Sequence, residues 1–496
     1  MNNVVPNRGM ITVSIMLSTI MQALDTTIAN VALPHMQGAL SATMDEITWV
    51  LTSYIVASAI ATPVTGYFEA RFGRKPYFAF TVTGFVITSM LCGAATSLDE
   101  MVFFRIMQGI FGAALIPLSQ AVLLDSYPKE EHGKAMAIWG MGIMVGPILG
   151  PTLGGYLTEY YNWRWVFYIN LPVGILSLLG ILAFVTENEQ RRDRPFDMFG
   201  FVVLSIAIGS LQLMLDRGTS QDWFSSTEII TEATLFILCL YLFVVHMFTA
   251  THAYLEPELF KDRNFVVGLV FIFVVGIILL ATMALLPPFL QNLMGFPVLD
   301  VGYVLAPRGI GTMFSMMFVG KVIGNVDPRR LIFAGLLCIV FSLWEMAQFN
   351  TDISMWAIIH TGILQGIGLG LIFVPLSTIT FATLAPHLRT EAASLFSLLR
   401  NLGSSIGISV VVGLLGYYVQ ANHSALAEHI TPFIGKFLPP IWSLDSTGGL
   451  MAINGEINRQ AATISYLNDF RFMMYVTAAA LPLLFMLQNP LRQKTH

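Results

Sequence analysis

Charged residues are scarce in this 496-residue sequence: Asp, Glu, Lys and Arg make up 11% of it, while 55% is hydrophobic. A soluble chain carries about 25% charged residues, so this one has too few to coat a globule of its length. Its mean hydropathy of +0.71 points the same way. The net charge of -5 and the scatter of Lys and Arg among short loops exclude a basic face for nucleic acid. Cysteine is nearly missing. Cys92, Cys239 and Cys338 are odd in number, lie in apolar runs and show no CxxC spacing, which excludes a disulfide framework or a zinc site. Neither a GxxxxGK(S/T) loop nor an HExxH helix occurs, so no Walker-type ATP site, zinc-protease motif or other cofactor is expected.

What is abundant is long apolar sequence. Runs of about 20 residues, the length a helix needs to cross a bilayer, centre near Leu17, Val56, Thr83, Gly112, Val145, Leu176, Ile206, Ile237, Val274, Gly311, Leu337, Gly366, Ile406 and Thr477. They predict an all-α polytopic membrane protein with fourteen transmembrane helices. The first run, residues 10–33, has no small-residue cleavage site and carries Asp25, so it reads as a span rather than a removable signal. Most Lys and Arg, among them Arg71, Arg74, Lys75, Lys129, Arg191, Arg329 and Arg330, fall in loops on one side. The positive-inside rule makes that side cytoplasmic, together with both termini. One connection is unusually long: residues 420–469 are polar, fall on the outer side and are expected to form a periplasmic loop.

The sequence also repeats. A shift of 254 positions superposes Pro34 on Pro288, Gln37 on Gln291, Leu51 on Leu305 and Gly66 on Gly320, and a shift of 257 matches Gly146 with Gly403 and Gly150 with Gly407. Two six-helix halves follow, residues 1–190 and 263–496, with two further helices inserted over residues 191–262. Such repeats put a substrate site near the bilayer midplane where the halves meet, and transport comes from rocking one against the other. Asp25 aligns with Leu279, so the acid belongs to the first half alone.

An ionisable group inside a span needs a partner, a cavity or a role. Asp25 in the first span and Arg105 near the outer end of the fourth, which runs the opposite way, reach similar depths and are expected to pair as the proton-coupling site. A static buried salt bridge is the alternative, but buried pairs stabilise poorly. Arg308 and Arg400, in the second half, and the polar Gln22 and Asn30 of the first span are candidate substrate or gate residues. Gly142, Gly146, Gly150 and Gly154 recur every fourth residue, a stripe without side chains that a second helix can approach closely. Pro147, Pro151 and Gly155 interrupt the same run, and together they predict a buried, bent helix at the interface that rocks and blocks leakage. Residues 403–407 match GxSxG, but within a helical run that pattern serves packing rather than a nucleophile elbow.

Residues 24–34, 66–75, 142–155, the set Arg105, Gln108, Gly109 and Gly112, and the stretch 162–174 together resemble the fourteen-helix drug/proton antiporters of the major facilitator superfamily, the EmrB/QacA-like exporters. The likeness covers nearly the whole chain. It implies the major facilitator fold and a proton-driven exporter of lipophilic, often cationic, compounds in a bacterial inner membrane, powered by the proton gradient alone. It makes Gly66, Arg71, Gly73, Arg74 and Lys75 a cytoplasmic gate loop, and the long outer loop a contact for a periplasmic adaptor working with an outer-membrane channel. The chain departs from the pattern at Ala70, where an aspartate helps latch the gate. Glu69 precedes it but is expected to point elsewhere, leaving the basic residues to helix ends or Asp125. Two other readings stay open: export of one natural metabolite such as a siderophore, fatty acid or sugar, and a membrane sensor or enzyme that does not transport.

Overall fold

The computed structural model describes residues 7–187, 195–250, 254–431, 442–444 and 446–488. Its backbone is helical throughout. Among the described residues, twelve helical segments are long and apolar enough to cross a membrane. In chain order these are α1 (Arg8–Ala39), α2 (Trp49–Phe72), α3 (Arg74–Ala94), α4 (Leu98–Ser126), α5 (Lys129–Tyr160), α6 (Trp165–Phe184), α7 (Met198–Arg217), α8 (Thr227–Thr249) and α9 (Arg263–Leu293). After α10 (Val298–Val322) and α11 (Pro328–Met346) come α12 (Met355–Ala382), α13 (Pro386–Ala427) and α14 (Thr447–Met486). α10 and α11 have 25 and 19 residues but are less uniformly apolar, and both pack on α12.

Short polar side chains start these helices by taking up backbone N–H groups that have no partner within the helix. Ser97 caps α4, Asp197 α7, Ser226 α8, Asp262 α9, Asp327 α11, Ser354 α12 and Ser446 α14. The α2–α3 turn depends on Gly73, whose φ of 91° is open to glycine but strained for other residues.

Helix pairing recurs at an interval of eight. α1 packs on α5, α2 on α4, and α3 on α4 and α6; correspondingly α9 packs on α13, α10 on α12, and α11 on α12 and α14. The glycine stripe of α5 explains one of these contacts. A Cβ at Gly146 would overlap the carbonyl oxygen of Ala23, and one at Gly150 would overlap Oγ1 of Thr27. That hydroxyl donates to the Gly146 carbonyl at 3.0 Å. Gly403 and Gly407 press α13 onto the carbonyls of Phe273 and Ile277 on α9 in the same way. The stripe therefore seats α5 against α1, the helix that carries Asp25, rather than against the second group of helices. The opposite face of α5 makes that second contact, where Gly133 meets Ile323, Ala137 meets Gly320 and Gly140 meets Met316. Pro147 and Pro151 lie within one unbroken helix, and Pro151 is exposed, so the proline segment is less buried than its sequence implies.

α7 bridges the two groups: Asp216 accepts from Thr52 of α2, Gln212 donates to Ser405 of α13 at 2.9 Å, and Ser409 donates to the Leu215 carbonyl at 2.9 Å. The stretch expected as an outer loop is largely helical. α13 continues to Ala427 and α14 begins at Thr447, and the two are tied by Asn422 to Ser465 and His423 to Asn454, each at 3.0 Å. Polarity marks water exposure, not loss of helix, and at 1.5 Å per residue a helix as long as α13 reaches about 60 Å, far beyond the roughly 30 Å apolar layer. Residues 432–441 of this stretch lie outside the described ones.

Gly146→Leu should drive a side chain into the α1 backbone and lower stability by about 1–3 kcal/mol, the usual cost of overpacking. Gly155→Ala, with no atom within 4 Å of the added carbon, should leave it unchanged. Thermal unfolding in detergent measures both.

Candidate functional site

Asp25 sits on α1 with 2% of its surface exposed, and Arg105 of α4 is fully buried. Nη1 of Arg105 is 2.7 Å from Oδ2 of Asp25. The other carboxylate oxygen accepts from Nε2 of Gln108 and from Nδ2 of Asn170 on α6, each at 2.9 Å. Three helices thus converge on one carboxylate.

The guanidinium is held as firmly. Nε donates to the Val50 carbonyl of α2 at 2.9 Å, Nη1 also donates to Oε1 of Gln108 at 2.8 Å, and the group lies 4.3 Å over the ring centroid of Tyr54. A cation over an aromatic face gains from the ring quadrupole. Asn170 donates in addition to Ser89, whose hydroxyl donates to the Phe167 carbonyl. A buried charge pair costs too much desolvation to be kept for stability alone unless every remaining lone pair and proton is met. Here Gln108 and Asn170 serve the carboxylate, and the Val50 carbonyl and Gln108 serve Nε and Nη1 of the guanidinium.

Of the other sequence candidates, Gln22 adjoins this cluster through a 3.3 Å hydrogen bond to the Tyr54 hydroxyl. Asn30 is exposed on α1 and stands outside it. Arg308 and Arg400 are buried, 7% and 9% exposed, yet neither pairs with a carboxylate among the described residues. Arg308 donates to the Leu279 carbonyl at 3.2 Å, and Arg400 reaches only Asn401, at 3.5 Å. Sequence reasoning missed Ser89 and Tyr54 and gave Asn170 no role at the acid. Polar residues within otherwise apolar helices were the available signal.

A second cluster lies at the end of the bundle that carries the basic loops. Nε of Arg74 is 2.7 Å from Glu69, and Nη1 is 2.6 Å from Asp125, which also pairs with Arg389 of α13. Glu69 is buried and turned inward, which corrects the expectation that it points elsewhere. It supplies the carboxylate next to Ala70, one residue earlier on α2. Gly66 lets this helix approach Glu391, where an added Cβ would stand 3.1 Å from the Glu391 Cα. Arg71 is exposed and Lys75 half-buried at the same turn. The Asp125 to Arg389 pair ties α4 to α13 at this end.

The sequence profile described as the Major Facilitator Superfamily matches residues 15–408. The chain is 36% identical over 486 residues to the fatty acid resistance protein FarB of Neisseria gonorrhoeae, covering 97% of this chain and 96% of that one. It is 37% identical over 424 residues to the multidrug export protein EmrB of Escherichia coli strain K12, covering 85% and 83%. Among solved structures, the human organic anion transporter MFSD10 (TETRAN) superposes with a TM-score of 0.60 at 14% identity, covering 95% of this chain and all of that one. That last likeness is one of fold.

Arg105→Met should leave the Asp25 carboxylate buried without its cation and cost about 3–5 kcal/mol. Adding Asp25→Asn should recover part of the loss, since Gln108 and Asn170 can still bond a neutral amide. A double-mutant cycle of thermal unfolding reads the coupling.

Proposed function

The chain belongs to the Major Facilitator Superfamily, and from that premise we propose that it is a proton-coupled antiporter. It exports lipophilic compounds, cationic ones among them, across a bacterial inner membrane. It is a transporter and not an enzyme. The observation that carries this reading is the sealed Asp25 to Arg105 pair joining α1, α4 and α6. Protonating Asp25 cancels the charge that holds Arg105, so proton binding and helix separation become one event. Proton entry then supplies about 2.3 kcal/mol per charge per 100 mV.

In this reading all fourteen helices cross the membrane, and the basic end with both termini is cytoplasmic. Residues 1–190 and 263–496 are the two rocking halves, and residues 191–262 supply the inserted pair. The network of Glu69, Arg74, Asp125 and Arg389 is the cytoplasmic latch, with Gly66, Arg71, Gly73 and Lys75 shaping its loop. The close seat of Gly146 and Gly150 on α1 carries a shift of that helix into α5, and the far face of α5 carries it across to α10. The protruding outer parts of α13 and α14 suit a periplasmic adaptor serving an outer-membrane channel, and EmrB is named for multidrug export.

One observation favours a narrower cargo. Arg308 and Arg400 are buried without a carboxylate partner among the described residues, which suits a lipophilic acid better than a cation, and FarB is named for fatty acid resistance. Gln22 adjoins the coupling site from the same helix.

Adding substrate to purified protein in weak buffer should release protons, and Asp25→Asn should abolish the release while leaving the protein folded. Unchanged release from that variant would remove Asp25 from the coupling step. Arg308→Gln should weaken export of dodecanoate at least tenfold and leave dodecyltrimethylammonium unaffected in everted vesicles; equal effects on the two would dismiss the acid-specific reading.

A further inference from the structure

Asp469 on α14 is completely buried, and both of its carboxylate oxygens lack a hydrogen-bond partner among the described residues. An ionised carboxylate in so apolar a place, without a donor or a cation, is costly enough that the group holds a proton instead. Aromatic rings crowd this part of α14: Tyr466, one turn earlier, lies on the same side of the helix, and Phe470, the next residue, is buried beside it. The Phe289 ring stands 5.4 Å from Tyr466 and 6.4 Å from Phe470, and Phe349 adds a fourth ring 6.5 Å from Phe470.

The backbone that carries Phe289 into this cluster is irregular. Phe289 opens a π-turn, Phe289–Leu293, directly after Pro287 and Pro288. Prolines offer no N–H to hold the helix end, and π-turns inside helices concentrate at functional sites. The titratable groups that the packed helices carry toward this end are Glu345 on α11, paired with His360 at 3.3 Å, and Tyr417, Tyr418 and His423 on α13. His423 is bonded to Asn454. The titratable group of α9, Arg263, lies at its far end. None of these bonds to Asp469; its ionisable neighbours on α14 are Tyr466 and Arg471, and Arg471 is exposed.

We propose that Asp469 is a second proton-binding site, a neutral acid in this conformation that ionises when the α9 end bearing Phe289 moves off Tyr466 and Phe470 and admits water. The inference rests on the exchange reading and adds a proton to each cycle. A monovalent cation exchanged for one proton moves no net charge, whereas exchange for two does. Wild-type protein in proteoliposomes should therefore export tetraphenylphosphonium when driven by membrane potential alone. Asp469→Asn, which keeps the shape of the neutral acid, should lose that drive at least tenfold and keep export driven by a pH gradient.

Infrared absorption gives a readout independent of transport. The wild type at neutral pH should show a protonated-carboxyl stretch that Asp469→Asn lacks. Identical infrared bands, or equal potential-driven export by both proteins, would overturn the second site while leaving the Asp25 mechanism standing. A wild type that ignores the pH gradient would overturn the exchange reading and this inference with it.

Discussion

A carboxylate and a guanidinium buried together in a lipid-facing bundle constrain everything around them. Neither is stable there alone, so α2, α4 and α6 must bring the Val50 carbonyl, Gln108 and Asn170 to fixed positions around α1. The cost of that arrangement makes it sensitive. Neutralise the acid and the charge that holds Arg105 is gone, while Gln108 and Asn170 keep a partner. A structural pair would use its strength to hold one state, whereas a coupling pair uses its dependence on a single proton to choose between two.

In the exchange we propose, that choice would reach the rest of the molecule through backbone contacts rather than long side chains. Gly146 and Gly150 leave no slack between α5 and α1, and Gly403 and Gly407 do the same between α13 and α9. Packed elements of this kind move as units, because interfaces at backbone distance do not deform gradually. The basic end is held differently, by the chain of charges from Glu69 through Arg74 and Asp125 to Arg389. Of these four side chains Asp125 alone keeps partial contact with water, while Glu69, Arg74 and Arg389 are buried.

Much of the architecture was legible because apolar run length and isolated charge are local properties. The helices lie where apolar runs predicted them, and Asp25 stands beside Arg105 because antiparallel spans of known length fix relative depth. What escaped depends on rotation and tertiary approach. Glu69 turns inward where Ala70 does not, because helix phase around Gly73 decides which residue faces Arg74. The glycine stripe was read as facing the rocking interface, yet α5 carries small residues on two faces, and spacing alone does not say which neighbour each one meets. Residues 420–469 looked like loop because they are polar, although polar residues continue a helix readily once it leaves the bilayer. Asn170 acquires its role only when α6 folds beside α1.

The most direct test of the central claim is accumulation against a gradient. With a pH difference imposed across proteoliposomes, the wild type should concentrate substrate, while Asp25→Asn should only equilibrate it, exchanging labelled for unlabelled substrate at a measurable rate. Accumulation by Asp25→Asn to the wild-type level would contradict the account, because the force would then act through some group other than this carboxylate.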